Sequence, residues 1–388
     1  MTLCLLVYEL KEYPSLTSLD KIVLIYFFYT LIYIFIPLGG YTIFEKAIAF
    51  KNIAFFPLIY FIGRIIKPET IWVSKYKILI CILAIATGSI LLFEIATQTH
   101  LQTITGYADY NFTFLGVEPT GNYGLTWTFE IEGGIKRFAS FFANPLEHAA
   151  ATLLTIAVLL SLLSKKDGEN RNIILLAVLA ALISVLFALS RASLAGFLLV
   201  LYLYAIVTKK KKILLAFHIV TAVILITIVY FLTDHTLSEF IINTFNFSNS
   251  SSLSHLVEWV DGIESITAHP LGIGLGESGR IAGELGLNTG GENQLIILGV
   301  QTGIISIILY LAMLIISIRW SVKLFMKTAG KSKQLGILLF VFKVGMIIPM
   351  LTASIESYLY ISYMGWFLTG LLSSIYQQLI IKKEYDVS

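Results

Sequence analysis

Apolar residues in this chain gather into long runs separated by short polar intervals. Ten runs stand out, at roughly 22–41, 47–65, 77–97, 145–163, 172–189, 192–207, 213–232, 294–317, 335–353 and 358–377. An α-helix of about 20 apolar residues crosses a hydrocarbon layer about 30 Å thick. The runs therefore predict an all-α integral membrane protein of about ten transmembrane helices. The second run is short and carries Lys51, so it is the least regular. No internal repeat is evident. Two long polar intervals remain, at 98–144 and 233–293, and the second carries most of the chain's chemistry-bearing residues. The whole chain, 1–388, reads as one polytopic membrane domain with these two loops set into it.

Composition strengthens this picture. Of the 388 residues, 57% are hydrophobic and 13% are charged, where soluble domains carry about 25% charged residues. The mean hydropathy is +0.84. Too little polar sequence remains to cover ten apolar runs packed in a soluble core. The net charge of +3 is too small to argue for nucleic acid as a partner. Cys4 and Cys81 lie in apolar stretches and suggest neither a disulfide framework nor a metal site. Met1–Leu10 is apolar, but Glu9 and Lys11 follow with no small-residue cleavage site, so it does not read as a cleaved signal peptide.

Charge also sets the orientation. With the amino terminus inside and the runs alternating, 20 of the 27 basic residues fall on the inner side. Six fall outside: Lys46, Lys51, Lys136, Arg137, Arg191 and Arg280; Lys343 lies within the ninth run. The excess of inner Lys and Arg predicts both termini inside and both long loops outside. The outer loops are rich in acidic residues, so the few outer arginines call for an explanation.

The first outer loop ends in IKRFASFFANPLEHAA. Asn144 is suited to cap a helix that begins at Pro145, with Glu147 placed to close a capping box. The free N–H groups of that helix end favour an anion, and Arg137 lies just upstream. An interfacial arginine beside lipid headgroups explains the same residues. The next motif is ALSRASLAGF, where a tight outer hairpin carries Arg191. A charge so close to the bilayer is a functional hypothesis, with snorkelling as its rival. Ala192, Ser193, Ala195 and Gly196 follow and permit close helix contact.

In the second outer loop, Leu256, Val260, Ile263 and Ile266 are spaced as one face of a helix, with His255, Glu258 and Gly262 on the other. HPLGIGLGESG follows, with glycines for tight turns and a His269 that reads first as a turn residue. GGENQLIILGVQTG then opens the eighth run. Glu292 at its outer end would be a partly desolvated carboxylate able to act as a general base, or a helix-terminus charge favoured by the dipole. Lys343 is a mid-membrane charge that needs a partner. Glu356, in the outer turn between the last two runs, is a further candidate.

Taken in order, RFASFFANP, SRASLAG, HPLGIGLG and GENQLIILGVQTGII resemble the O-antigen ligase and repeat-unit polymerase superfamily. The resemblance covers about 137–310 by motif and the whole chain by helix layout. It implies a fold like that of the GT-C-type ligases and polymerases. It also implies metal-independent, inverting glycosyl transfer at the outer face of a bacterial plasma membrane, with no cofactor. The implied donor and acceptor are glycans on undecaprenyl pyrophosphate, and a flippase and a chain-length regulator are implied partners. Arg191 matches one of the ligases' pyrophosphate-holding arginines, and Arg137 matches the basic residue of the first outer-loop motif. Ligases also carry an arginine before the HPLGIGLG-like turn, where this chain offers His255. Where ligases place a His followed by Asn, Ser or Gln and then a Gly, this chain has Glu292, Asn293 and Gly303. That departure leans toward polymerisation of O-antigen, capsule or exopolysaccharide repeat units. A ligase acting on a lipid, protein or wall acceptor, and a lipid-linked glycan transporter, are the rival readings. On the enzyme reading Glu292 and His255 are the catalytic candidates, Arg191 and Arg137 bind pyrophosphate, and Glu356 and Asn293 are additional.

Overall fold

The computed structural model describes residues 15–66, 77–107, 109–110, 113, 129–130, 136–163, 171–231, 250–279, 282 and 289–385. Nearly all of these are helical. The helices are α1 Ser18–Ile32, α2 Ile43–Ala54, α3 Phe56–Ile65, α4 Lys77–Thr97, α5 Leu101–Ile104, α6 Pro145–Leu163, α7 Arg171–Phe187, α8 Arg191–Val207 and α9 Lys211–Phe231. Then come α10 Ser250–Ala268, α11 Gln294–Thr302, α12 Ile304–Lys327, α13 Gly330–Gly345, α14 Ile347–Met350 and α15 Leu359–Tyr385. Two short strands, β1 Phe129–Glu130 and β2 Lys136–Arg137, pair antiparallel between α5 and α6.

Among the described residues, four segments are long and apolar enough by themselves to cross a membrane: Ile78–Thr97, Pro145–Leu163, Ile304–Lys327 and Gly330–Met350. The α2–α3 pair makes a fifth if counted as one span; it is bent by 48°. Pro57 in the first turn of α3 explains the bend, because proline has no N–H to continue the ladder of α2. α7 and α8 are apolar but shorter. Large apolar side chains on the outside of the bundle, among them Phe28, Ile82, Ile226 and Ile308, are exposed. A soluble protein would bury such a surface, and a bilayer covers it. The chain is thus an all-α membrane protein.

Several runs differ from their sequence bounds. The first apolar run extends to 41, yet α1 stops at Ile32 and 33–41 are turns and extended chain. Thr17 and Asp20 form a reciprocal capping box that starts α1 four residues before the run. The eighth run is divided at Gly303, and the ninth at Met346. Hydropathy reads composition and does not register a one-residue break in the backbone.

Buried polar contacts tie the first, third and last helices together. Arg64 Nε donates to Asp20 Oδ2 at 3.1 Å, and Asp20 also accepts from Tyr60. Arg64 further donates to Gln377, whose amide donates to the Ser15 carbonyl at 2.6 Å. The close contact expected of the small residues in α8 is present: a Cβ on Gly196 would lie 2.6 Å from the Gly345 carbonyl oxygen of α13.

Candidate functional site

Arg137 is placed by a knot of chain built from FASFFANP. The Phe138 N–H donates to the Phe187 carbonyl at the end of α7 (3.3 Å), and Arg137 Nε donates to the Ala188 carbonyl (3.4 Å). Ser140, at φ +52°, donates its N–H to Glu94 Oε2 at 2.8 Å. Glu94 also accepts from the Leu101 N–H at 2.9 Å, and Gln102 donates to the Ser140 carbonyl at 2.9 Å. His148 Nδ1 donates to the Phe138 carbonyl at 3.1 Å. Asn144 caps α6 as its position predicts, accepting from the Glu147 N–H at 2.8 Å. Glu94 and Gln102 were not singled out by sequence. Glu94 carried a signal, as a lone carboxylate inside an apolar run.

The knot brings Arg137 beside the α7–α8 hairpin. Residues 188–190 make that connection, with Leu189 at φ +50° and Ser190 capping α8 by accepting from the Ser193 N–H at 3.3 Å. Arg191 is the first residue of α8 and is exposed. Burial lowers the Arg137 pKa from its ordinary value; Tyr358 and Glu292 oppose the drop, and Arg191 adds to it. Three groups from distant parts of the chain, Tyr358, Glu292 and Arg191, therefore lie within electrostatic reach of Arg137. Arg137, Arg191 and Glu292 were expected from sequence. Tyr358, buried just before α15, was not, and nothing in its sequence context marks it.

Glu292 lies one residue before Asn293, the N-cap of α11, whose side chain accepts from the Leu295 and Ile296 N–H groups at 2.9 and 3.3 Å. The Glu292 side chain is exposed. The desolvation expected for it is therefore corrected: as a base it would draw on position and accessibility, not on burial. Asn293 is buried and spends its side-chain oxygen on the helix end, so it is a cap. His255 is in α10, and its side chain lies outside what the structure describes, as does Arg280.

The Gly-rich stretch after His269 serves the break between α11 and α12. The Ile273 N–H donates to the Val300 carbonyl (2.8 Å), and the Ile304 N–H donates to the Pro270 carbonyl (2.9 Å). Gln301 accepts from the Gly276 N–H at 3.3 Å and donates to the Ser278 carbonyl at 2.6 Å. Just past the end of α1, the Tyr33 hydroxyl donates to the Leu271 carbonyl at 2.6 Å. His269 itself is exposed and closes a turn through its carbonyl. The amphipathic α10 packs inward through Gly262, against Ile296 and Gly290, while Val257, Val260 and Ile263 are exposed.

Glu356 is buried and enclosed by donors. Tyr310 donates to it at 2.5 Å, Trp366 Nε1 at 3.0 Å, and Ser362 donates as well. The Glu356 N–H donates to Gln294 Oε1 at 3.1 Å, so the turn before α15 is clamped to the start of α11. Lys343, the mid-membrane charge, lies 4.0 Å from the Trp366 ring centroid and is electrostatically linked to Glu356. A carboxylate so fully engaged ties the turn before α15 to its neighbours, and it also lines a small cavity of about 30 Å³ with Lys343, Met350 and Trp366. Among the described residues, no group of three or more His, Cys, Asp or Glu is arranged to hold a metal. No protein-family model and no curated protein matches this chain.

Proposed function

We propose that this chain polymerises glycan repeat units carried on undecaprenyl pyrophosphate at the outer face of a bacterial plasma membrane. On this reading about ten helices span the bilayer, both termini are inside, and the Arg137–Arg191–Glu292–Tyr358 cluster opens outward. The observation that carries it is that a second arginine, Arg191, and the exposed carboxylate of Glu292 both lie within electrostatic reach of Arg137. Glycosyl transfer with inversion needs both kinds of group. An acceptor hydroxyl attacks the anomeric carbon, the bond from that carbon to the pyrophosphate oxygen breaks, and the hydroxyl proton passes to Glu292. The leaving pyrophosphate gathers negative charge, which Arg137 and Arg191 stabilise. Glu292 is the base on this reading because it is exposed, whereas the oxygens of its rival Glu356 already accept from three donors.

The test is polymer formation by the purified full chain in proteoliposomes supplied with a lipid-linked repeat unit. Wild type yields a ladder of products. Glu292→Gln retains shape but accepts no proton at neutral pH, and is expected to abolish the ladder; Glu292→Asp retains a fraction. A near-normal ladder from Glu292→Gln overturns the base assignment, and no ladder from wild type overturns the polymerase reading.

A further inference from the structure

The turn that follows α1 is apolar where it faces outward. Phe35 is 72% exposed, and at the start of α2 Phe44 is 74% exposed and Ile43 is exposed beside it. Leu271, in the Gly-rich loop, is exposed as well. Hydrogen bonds and close packing join these two segments. The Tyr33 hydroxyl donates to the Leu271 carbonyl at 2.6 Å, and the Gly40 N–H donates to Glu277 Oε1 at 2.9 Å. A Cβ on Gly274 would lie 2.7 Å from the Leu38 carbonyl oxygen, so the backbones themselves touch. The unit is seated where α12 begins. Tyr29 donates to the Thr302 carbonyl at 2.7 Å, and α12 opens with the exposed Ile304, Ile305 and Ile308.

Two requirements fix the depth of this unit. Residues 33–41 are irregular chain, and Pro37, Gly39 and Gly40 are exposed. Irregular chain facing lipid is excluded from the hydrocarbon layer, because its N–H and C=O groups would lose water there. The exposed Phe35, Ile43, Phe44 and Leu271 would in turn present a contiguous apolar patch to water. Both requirements are met at the boundary, with the backbone among headgroups and the side chains among acyl chains. The length of α12 agrees. Its 24 residues rise about 36 Å against a hydrocarbon layer of about 30 Å. With Arg319, Lys323 and Lys327 at the far end of α12, Ile304 stands close to the opposite boundary.

We propose that Phe35, Ile43, Phe44 and Leu271 are a lipid anchor. It inserts into the headgroup–acyl boundary and holds the Gly-rich loop, and with it the α11–α12 break, at that depth. The partner is bilayer lipid, recognised through its acyl chains. Lys46 is the one cation between residues 33 and 50; it is buried and donates to the Ile36 carbonyl at 2.9 Å. The anchor therefore has no need of an anionic headgroup. It holds whatever reaction the Arg137 cluster performs.

The test is the accessibility of nitroxide labels on the full chain in phosphatidylcholine nanodiscs, in a background lacking Cys4 and Cys81. Phe35→Cys, Phe44→Cys and Leu271→Cys are compared with Ile308→Cys, which faces acyl chains, and Lys210→Cys, which faces water. Power-saturation EPR reads collisions with oxygen, enriched among acyl chains, and with a water-soluble nickel complex. The three anchor labels are expected to favour oxygen over nickel far more than Lys210→Cys does, approaching Ile308→Cys. Nickel access equal to that at Lys210→Cys overturns the proposal and leaves the turn in water. Low access to both overturns it too, since protein then covers the patch. The three side chains are exposed, so each label leaves the interior packing in place; should one variant fail to fold, the other two decide. The holding role is read in the Leu271→Cys chain carrying Phe35→Ser and Phe44→Ser. Its label is expected to shift toward the Lys210→Cys value, and an unshifted label overturns that role.

Discussion

The two arginines differ in how they are held. Arg137 is partly buried and tied to the Ala188 carbonyl, whereas Arg191 is exposed at a helix start. Each Arg→Ala change is expected to remove polymer while leaving protein level unchanged. Losing one charge-assisted contact to the leaving pyrophosphate costs about 2–4 kcal/mol in the transition state. Arg191→Lys should restore only part of the rate, because an ammonium offers a point charge in place of a fork. Full polymer from Arg191→Ala would remove it from the site. The two carboxylates should separate by a different readout. Glu356→Ala leaves Tyr310, Ser362 and Trp366 without their acceptor and Lys343 without its counter-charge. It is expected to cost about 3–5 kcal/mol of stability, seen as a lowered thermal midpoint in detergent. Glu292→Gln should leave that midpoint unchanged.

Among elements, the break between α11 and α12 decides where Glu292 stands. Gly303 has φ +80°, and a Cβ there would lie 2.4 Å from the Pro270 carbonyl oxygen. Gly303→Ala combines backbone strain with that clash and should cost about 1–3 kcal/mol or more. Thermal unfolding of the purified variant checks this, and an unchanged midpoint would show that the loop relaxes freely. The same break accounts for the spacing from Glu292 to Gly303: α11 is the short helix between a capped start and a glycine end.

For the whole molecule, the orientation is tested with single cysteines in a background lacking Cys4 and Cys81. Thr267→Cys in α10 should react with an impermeant reagent in intact cells, and Lys210→Cys in the basic α8–α9 turn should not. Labelling at 210 from outside would invert the topology. The Asp20–Arg64 pair joins helices far apart in sequence and is 0% and 2% exposed. Asp20→Asn strands a buried guanidinium, and the expected loss is about 3–5 kcal/mol. A thermal shift below a few degrees would show that Gln377 alone satisfies Arg64.

The helices themselves were legible in the sequence. Run length against bilayer thickness, the Asn144 cap before Pro145 and the Arg191 hairpin are local or compositional, and each depends on a few neighbouring residues. What surrounds Arg137 was decided only in three dimensions. Glu94 and Gln102 pin its loop from 38 to 46 residues upstream, and Tyr358 reaches it from the other end of the chain. The exposure of Glu292 and the burial of Glu356 among its donors also came from packing, since both are single carboxylates beside apolar runs and nothing in the sequence separates them. Periodicity reports which face of a helix is apolar. It does not report which distant backbone groups a buried side chain must satisfy, and that requirement fixed the site.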